Sequence, residues 1–277
     1  MGVYILPVIK KITVQKNNKE RYNIFFDDGI SGQYAFSVSE DILIKHDLRK
    51  GKDVSEEELT DIFYHEEIQK AYNQAIQFLS FRMRSMKEVH DYLSDKGIDE
   101  GVIEEVIRRL RERKYINDEE FTALYVKTQL NTTDKGPIIL KEALRKKGIT
   151  DIMIEEIVDK HYLPEIQLEK AISLCHKHKR KGKTLSSIQL KNNLQQMLVR
   201  KGYTKEIISK AMEATFIHNE ENNEEDAIRF QGEKAWRKYQ SQPVDKRIIK
   251  VKQYLYRRGF QLSDIERFLE DYITSEE

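Results

Sequence analysis

Cysteine occurs once in the 277 residues, proline four times, tryptophan once and glycine twelve times. A lone Cys175 cannot form an internal disulfide, which suits a reducing compartment, so a cytoplasmic location is expected. Nowhere do ~18 apolar residues run together, so no helical membrane span is expected. The opening MGVYILPVIKKITVQ is too briefly apolar, and lacks the small-residue cleavage site, for a secretory signal. An excess of charge is also missing: 48 Lys and Arg face 47 Asp and Glu, a net charge of +1. Attraction to nucleic acid must therefore come from local asymmetry. There is no G-x-x-x-x-G-K-[ST] loop and no G-x-G-x-x-G after a strand, which argues against nucleotide binding. No Ser/His/Asp or Cys/His grouping is visible, so the sequence nominates no catalytic residue, no cofactor and no metal, and no enzyme is expected.

What the chain does have is a repeat. Leu93-Ser-Asp-Lys96-Gly97-Ile98, Leu144-Arg-Lys-Lys147-Gly148-Ile149, Leu198-Val-Arg-Lys201-Gly202-Tyr203 and Leu255-Tyr-Arg-Arg258-Gly259-Phe260 share the phrase L-x-x-[KR]-G-[apolar], with glycines 51, 54 and 57 residues apart. Eight positions before each glycine stand Val89, Leu140, Leu194 and Val251; six after it stand Ile103, Ile154, Ile208 and Ile265. The phrase reads as a helix end. Apolar residues four apart share a helix face, a cation suits the negative end of the dipole, and glycine takes the left-handed cap at no steric cost. Later apolar residues continue as the stripe of a new helix, and a third helix precedes each pair, for instance Ile62, Ile68, Ala71, Tyr72, Ala75 and Leu79. Ser85-x-x-Glu88 and Asn117-x-x-Glu120 read as helix starts.

Repetition near 50 residues predicts a mainly α fold of tandem three-helix units, stacked into an elongated, curved array. The expected divisions are a β-rich extension over 1–52, then repeats over 53–113, 114–162, 163–217 and 218–277. Lys11–Gln15, Arg21–Phe26 and Tyr34–Phe36 read as short strands around an Asp-Gly turn, a small β-hairpin extension, with a short helix near Glu40 to His46.

At this level the chain resembles the RecX family, bacterial regulators of the RecA recombinase. The resemblance rests on Arg82-Met-Arg84-Ser85-x-x-Glu88-Val89, on Tyr115-Ile-Asn-Asp-Glu119-x-Phe121 and on Lys135-Gly136-Pro137, each leading in order to its glycine phrase, and covers about residues 60 to 275. The β extension and the fourth repeat resemble the longer Gram-positive members. The resemblance implies a monomeric, non-catalytic protein that binds the RecA filament and modulates strand exchange and ATP hydrolysis.

Candidate contacts with DNA or filament lie first in residues 171–205, where Lys177, Lys179, Arg180, Lys181, Lys183, Lys191, Arg200, Lys201 and Lys205 occur with no carboxylate between them. A phosphate-binding footprint needs that pattern, though cations at a helix end and a solvated loop also account for part of it. On that ground alone, the chain could equally bind DNA without RecA. Arg82 and Arg84, two apart, point in different directions, so one is free for a partner while the other packs. Arg257 and Arg258 stand beside Trp236, Tyr239, Tyr254 and Tyr256, aromatics able to stack on single-stranded DNA. The acidic run Glu220, Glu221, Glu224, Glu225, Asp226 suits a helix start. Cys175-His176-Lys177-His178 places only Cys175 and His178 on one side of a helix, too few ligands for a metal.

Overall fold

The computed structural model describes residues 6–216 and 222–276, and the chain forms two compact units, Met1–Phe121 and Thr122–Glu277. The fold is mainly α, as the glycine phrases predict, with a small sheet at its start. His218 and the Glu220 and Glu221 of the acidic run lie outside the described residues, as does the expected 217/218 boundary.

In the first unit the expected hairpin is a three-stranded antiparallel meander, β1 (Ile9–Val14), β2 (Arg21–Phe26) and β3 (Gln33–Ser39), in the order β1-β2-β3. The turn before β3 is held by one carboxylate: Asp28 accepts the N–H groups of Ile30, Ser31 and Gly32 at 2.9, 3.0 and 2.8 Å. A short helix, α1 (Glu40–Lys45), leads to α2 (Glu56–Ser80), 25 residues started by Ser55, whose side chain accepts from the Glu58 N–H. This long helix serves two cores. Its Ile62 joins Ile9, Ile24, Phe36, Val38, Ile42, Leu48 and Val54 under the sheet, while Ile68, Ala71, Tyr72 and Ala75 join Val89, Leu93, Ile103 and Val106 of the first repeat. Between the two stands Glu66, 3% exposed, whose carboxylate meets the Arg21 guanidinium at 2.7 Å and the Ser39 N–H at 2.9 Å. The repeat is completed by α3 (Met86–Asp95) and α4 (Glu100–Glu112). Ser85 and Glu88 form the reciprocal capping box expected of their spacing.

Helix α5 (Asp118–Thr132) crosses from the first unit into the second, where α6 (Pro137–Lys146) and α7 (Asp151–His161) come after it. Next stand α8 (Pro164–Lys179), α9 (Ser187–Lys201) and α10 (Lys205–Phe216), then α11 (Asn222–Lys238), α12 (Val244–Arg257) and α13 (Leu262–Glu276).

The four glycine phrases fold alike. Gly97, Gly148, Gly202 and Gly259 have φ of 76, 79, 83 and 82°. The N–H of the next residue returns to the leucine carbonyl five residues back, at 3.3 Å for Ile98, 3.2 Å for Ile149, 3.1 Å for Tyr203 and 3.3 Å for Phe260. That pair of features is the Schellman cap, which satisfies carbonyls a helix end would leave open. The flanking apolar positions do what their spacing predicts: Val89, Leu140, Leu194 and Val251 are at most 1% exposed, and Ile103, Ile154, Ile208 and Ile265 at most 5%.

These turns also join consecutive repeats in the second unit. The Gly136 N–H donates to the Lys201 carbonyl at 2.6 Å and the Ile138 N–H to the Gly202 carbonyl at 3.0 Å, so the start of α6 is seated on the turn after α9. One repeat further, the Ser186 hydroxyl donates to the Arg258 carbonyl, seating the start of α9 on the turn after α12. Fully buried Tyr162 adds a bond from its hydroxyl to the Lys135 carbonyl at 3.1 Å and lies 3.5 Å from the Tyr203 hydroxyl. Burial pushes both phenols above their ordinary range, so both stay neutral donors.

Candidate nucleic-acid interface

In the third three-helix unit Leu174, Cys175, Leu190, Leu194, Leu198, Tyr203, Ile208 and Ala211 close a core between α8, α9 and α10, so the cations are left on the outside. Lys177, Arg180, Lys181, Lys183, Lys191, Arg200 and Lys205 are exposed; Lys179 and Lys201 are half-buried. None of the nine makes an ion pair among the described residues, whereas cations elsewhere commonly do, as Lys252 does with Glu266 at 2.6 Å. Glu224, from α11, brings a carboxylate to the start of α9, where it accepts the Ser187 N–H at 2.8 Å, but it pairs with none of the nine, and unpaired cations favour phosphate contact.

The nine do not form one patch. Lys177, Lys179, Arg180, Lys181, Lys183 and Lys191 gather around the α8–α9 connection. There Gly182 is buried and its N–H donates to the His178 and Lys179 carbonyls, both at 3.1 Å. The ring of Phe216, from α10, draws two of them together, with Lys179 Nζ at 5.4 Å and Lys191 Nζ at 5.0 Å from its centre. Arg200, Lys201 and Lys205 instead flank the Gly202 turn, beside the start of α6. At about 100° per residue, the nine steps from Lys191 to Arg200 make about two and a half turns, which puts the two on opposite sides of α9.

The first group continues into the fourth repeat. Gln231, on α11, donates to the Thr184 carbonyl at 2.8 Å and accepts from the Tyr254 hydroxyl at 3.3 Å. The Tyr254 ring lies 4.6 Å from the Arg258 guanidinium and 5.9 Å from Lys238 Nζ, and Tyr239 lies beneath Lys238 and Lys250 at 5.3 and 5.6 Å. Arg257 is exposed next to them. Of the four candidate aromatics Trp236 is buried at 3% under Arg247, Tyr239 and Tyr254 are half-buried, and Tyr256 stands out at 65%. Sequence reading passed over Lys238, Arg247 and Lys250. The spacing of the last two on α12 and the tyrosines on neighbouring turns were the available signal.

The second helices of the repeats carry a graded charge. Helix α3 holds Lys87 against Glu88, Asp91 and Asp95, and α6 holds Lys141, Arg145 and Lys146 against Glu142. Helix α9 holds Lys191, Arg200 and Lys201 against none, and α12 holds Lys246, Arg247, Lys250, Lys252 and Arg257 against Asp245. Positive potential therefore concentrates on the last two.

Arg82 and Arg84, in the first unit, part ways. The Arg84 guanidinium lies over the Phe78 ring, 4.1 Å from its centre, and Phe78 in turn stacks on Tyr92 with centres 4.1 Å apart. Burial, helped by the Arg82 charge, lowers the Arg84 pKa from its ordinary value. Arg82 is exposed and holds Glu88 at 2.8 Å. Cys175 is buried, and burial pushes its thiol up, so it faces the core while His176 and His178 face out. His46 and His65, which look scattered in sequence, lie side by side with ring centres 5.2 Å apart, and Asp61 completes the group.

The geometry defines a class: a protein of tandem three-helix domains, glycine-capped, with basic and aromatic surface on the last two. Family descriptions match in the same order: "Regulatory protein RecX N-terminal domain" over 7–55, "RecX, first three-helix domain" over 71–110 and "RecX, second three-helix domain" over 117–157. "RecX, third three-helix domain" matches twice, over 165–212 and 223–269, so the fourth repeat is of the third kind. The chain is 44% identical over 266 residues to the "Regulatory protein RecX" of Bacillus subtilis strain 168, covering 96% of this chain and 99% of that one. It is 43% identical over 265 residues to that of Bacillus pumilus, covering 96% and 99%. Among solved structures, a "Crystal structure of regulatory protein RecX" superposes with a TM-score of 0.66 at 33% identity, covering 74% of this chain and 98% of that one. The RecX from Lactobacillus salivarius gives 0.52 at 35%, covering 55% and 98%. The chain belongs to the RecX family of regulatory proteins. None of its described helices is long and apolar enough to cross a membrane.

Proposed function

We propose that this chain binds the RecA recombinase and its filaments on DNA, modulates strand exchange and ATP hydrolysis during recombination and repair, and does so as a cytoplasmic monomer without catalysis of its own. The observation that carries the reading is the set of unpaired cations around the α8–α9 connection, drawn from a segment whose sequence holds no carboxylate and continued by Arg257, Arg258 and the tyrosines of the fourth repeat. A filament on DNA offers phosphates and repeated protein sites, and a chain of similar units can meet several weakly at once, so that small affinities combine. Arg82, exposed in the first repeat, supplies a contact of a different unit. ATP is turned over by the partner, and the chain acts by favouring one state of the filament.

The test is to add the purified chain to RecA on single-stranded DNA and follow ATP hydrolysis and strand exchange. A change in both at substoichiometric to stoichiometric amounts is expected; no change in either would sink the reading. A second reading, DNA binding without RecA through the basic surface of the third repeat, is favoured by the same unpaired cations and is separated by its salt dependence.

A further inference from the structure

We propose that His46, Asp61 and His65 form a binding site for one divalent transition-metal ion of the zinc type, in the N-terminal part of the chain and independent of the basic surface. One ligand atom from each of the three side chains lies within 4.8 Å of the others. Asp61 and His65 stand one helical turn apart on α2, which puts both on one face, and His46 comes from the residue that ends α1. Donors bound at the usual zinc distances stand about 3.3 Å apart, so the three side chains would draw together modestly around an ion. One Asp61 carboxylate oxygen lies 3.9 Å from His46 Nε2.

The second observation is independent of that geometry. The His46 side chain is only 8% exposed, and its Nε2 is buried with no hydrogen-bond partner. A buried ring nitrogen facing a carboxylate without a partner is an unsatisfied acceptor or donor, and a metal ion satisfies it. The Asp61 carboxylate and the His65 ring both face His46. The other charged groups facing His46 are Lys45 and Glu58, and Glu58 is engaged by Lys52. His65 Nδ1 lies 2.8 Å from the Asp61 carbonyl; donating there orients the ring and leaves Nε2 as its ligating nitrogen.

Two imidazoles and a carboxylate select zinc, cobalt, nickel or copper over magnesium or calcium, which want oxygen ligands throughout. Three protein ligands leave a fourth position for water on the exposed side, where Asp61 is 56% exposed. A bound ion would fasten the end of α1 to α2 and so hold the sheet-bearing segment on the helix that begins the first repeat. His46 and His65 are nineteen positions apart, which hides the set from any reading of local spacing.

The experiment uses the untagged full chain freed of metal by chelation. Co2+ titration tracked by visible absorption should saturate at one ion per chain with a four- or five-coordinate spectrum, and Zn2+ should displace it. His46→Gln and His65→Gln should each weaken Co2+ binding at least tenfold, and Zn2+ should raise the thermal midpoint of the parent chain but not of either variant. Asp61→Asn, at an exposed position, serves where circular dichroism shows a histidine variant to be misfolded, and should weaken binding likewise. Absence of one-to-one binding, or binding unchanged by His46→Gln and Asp61→Asn alike, overturns the proposal. Because no readout involves RecA or DNA, the outcome is separate from that of the proposed function.

Discussion

A Cβ placed on Gly136 would lie 2.4 Å from the carbonyl carbon of Gly202, closer than any side chain can approach a backbone. The start of α6 and the turn after α9 are thus in backbone-to-backbone contact, and Gly202 itself has φ of 83° with Ile139 packed where its own Cβ would be, at 2.8 Å. Gly97 holds the same left-handed conformation, φ 76°, with nothing within 4 Å. Replacing Gly97 with alanine should therefore cost only the conformational penalty, about 1–2 kcal/mol. Gly136→Ala and Gly202→Ala should each cost more, about 3 kcal/mol or above, because the backbone must also move. Thermal unfolding of the three variants checks the order.

The Glu66 carboxylate is a second point of leverage. With Glu66 4% and Arg21 22% exposed in their side chains, Glu66→Leu leaves a guanidinium largely buried without its anion. A loss of about 3–5 kcal/mol is expected, and most of it should return in the Arg21→Met/Glu66→Leu double variant, where no charge is left unpaired. Chemical denaturation of the two, compared with the parent chain, distinguishes a lost partner from a lost contact.

Arg82 and Arg84 should separate stability from regulation. Arg84→Ala strips the guanidinium from Phe78 and should cost about 2 kcal/mol in thermal stability. Arg82→Ala breaks a half-exposed pair with Glu88 and should change stability by less than about 1 kcal/mol, while weakening the effect on RecA ATP hydrolysis. If Arg82→Ala regulates RecA as the parent does, its filament role is excluded.

Acid should weaken α4. Hydrogen bonds from Arg108 and Arg109 pull Glu105 down from 4.5 to about 2. A carboxylate held lower in the folded chain than in the unfolded one adds stability above about pH 4.5, and that contribution disappears as pH falls toward 2. Glu105→Gln should lower stability at pH 7 and flatten its decline between pH 5 and 2. A steeper decline in the variant would contradict the assignment.

Salt separates the two groups of cations in the third repeat. Changing Lys179, Arg180, Lys181 and Lys183 together to alanine should reduce the slope of log affinity against log salt for single-stranded DNA by up to ~3, at about 0.7 per phosphate contact. Arg200 and Lys201, beyond the Lys191 side of α9, should contribute separately. Anisotropy of a labelled oligonucleotide across ionic strengths reads both.

Much of the fold was legible because the informative residues act locally. A glycine with a leucine five positions before its apolar neighbour specifies its own helix end, and all four such phrases form the same cap. The third strand reads in sequence only over Tyr34 to Phe36, whereas it runs from Gln33 to Ser39, because only Phe36 and Val38 turn fully inward, a weak alternation. The candidate interface was legible in charge but not in shape. Nine cations adjacent in sequence read as one footprint, yet opposite sides of α9 split them, and Arg258 joins one group only through Tyr254, Gln231 and Thr184. Likewise Arg84 has the look of a contact residue in sequence, but Phe78, six positions earlier on the preceding helix, lies beneath it. Pairings of that kind depend on tertiary approach, which no spacing rule contains.

The seating of the starts of α6 and α9 on the turn of the next repeat has a direction. Lys201, Gly202 and Arg258 offer carbonyls backward, to groups of the repeat before, and these bonds require no group from the repeat after. A chain assembled in this way can be lengthened by duplicating its last domain, because a newcomer caps existing donors and orphans none. The double match of the third-domain description is what such growth at the C-terminal end would leave behind.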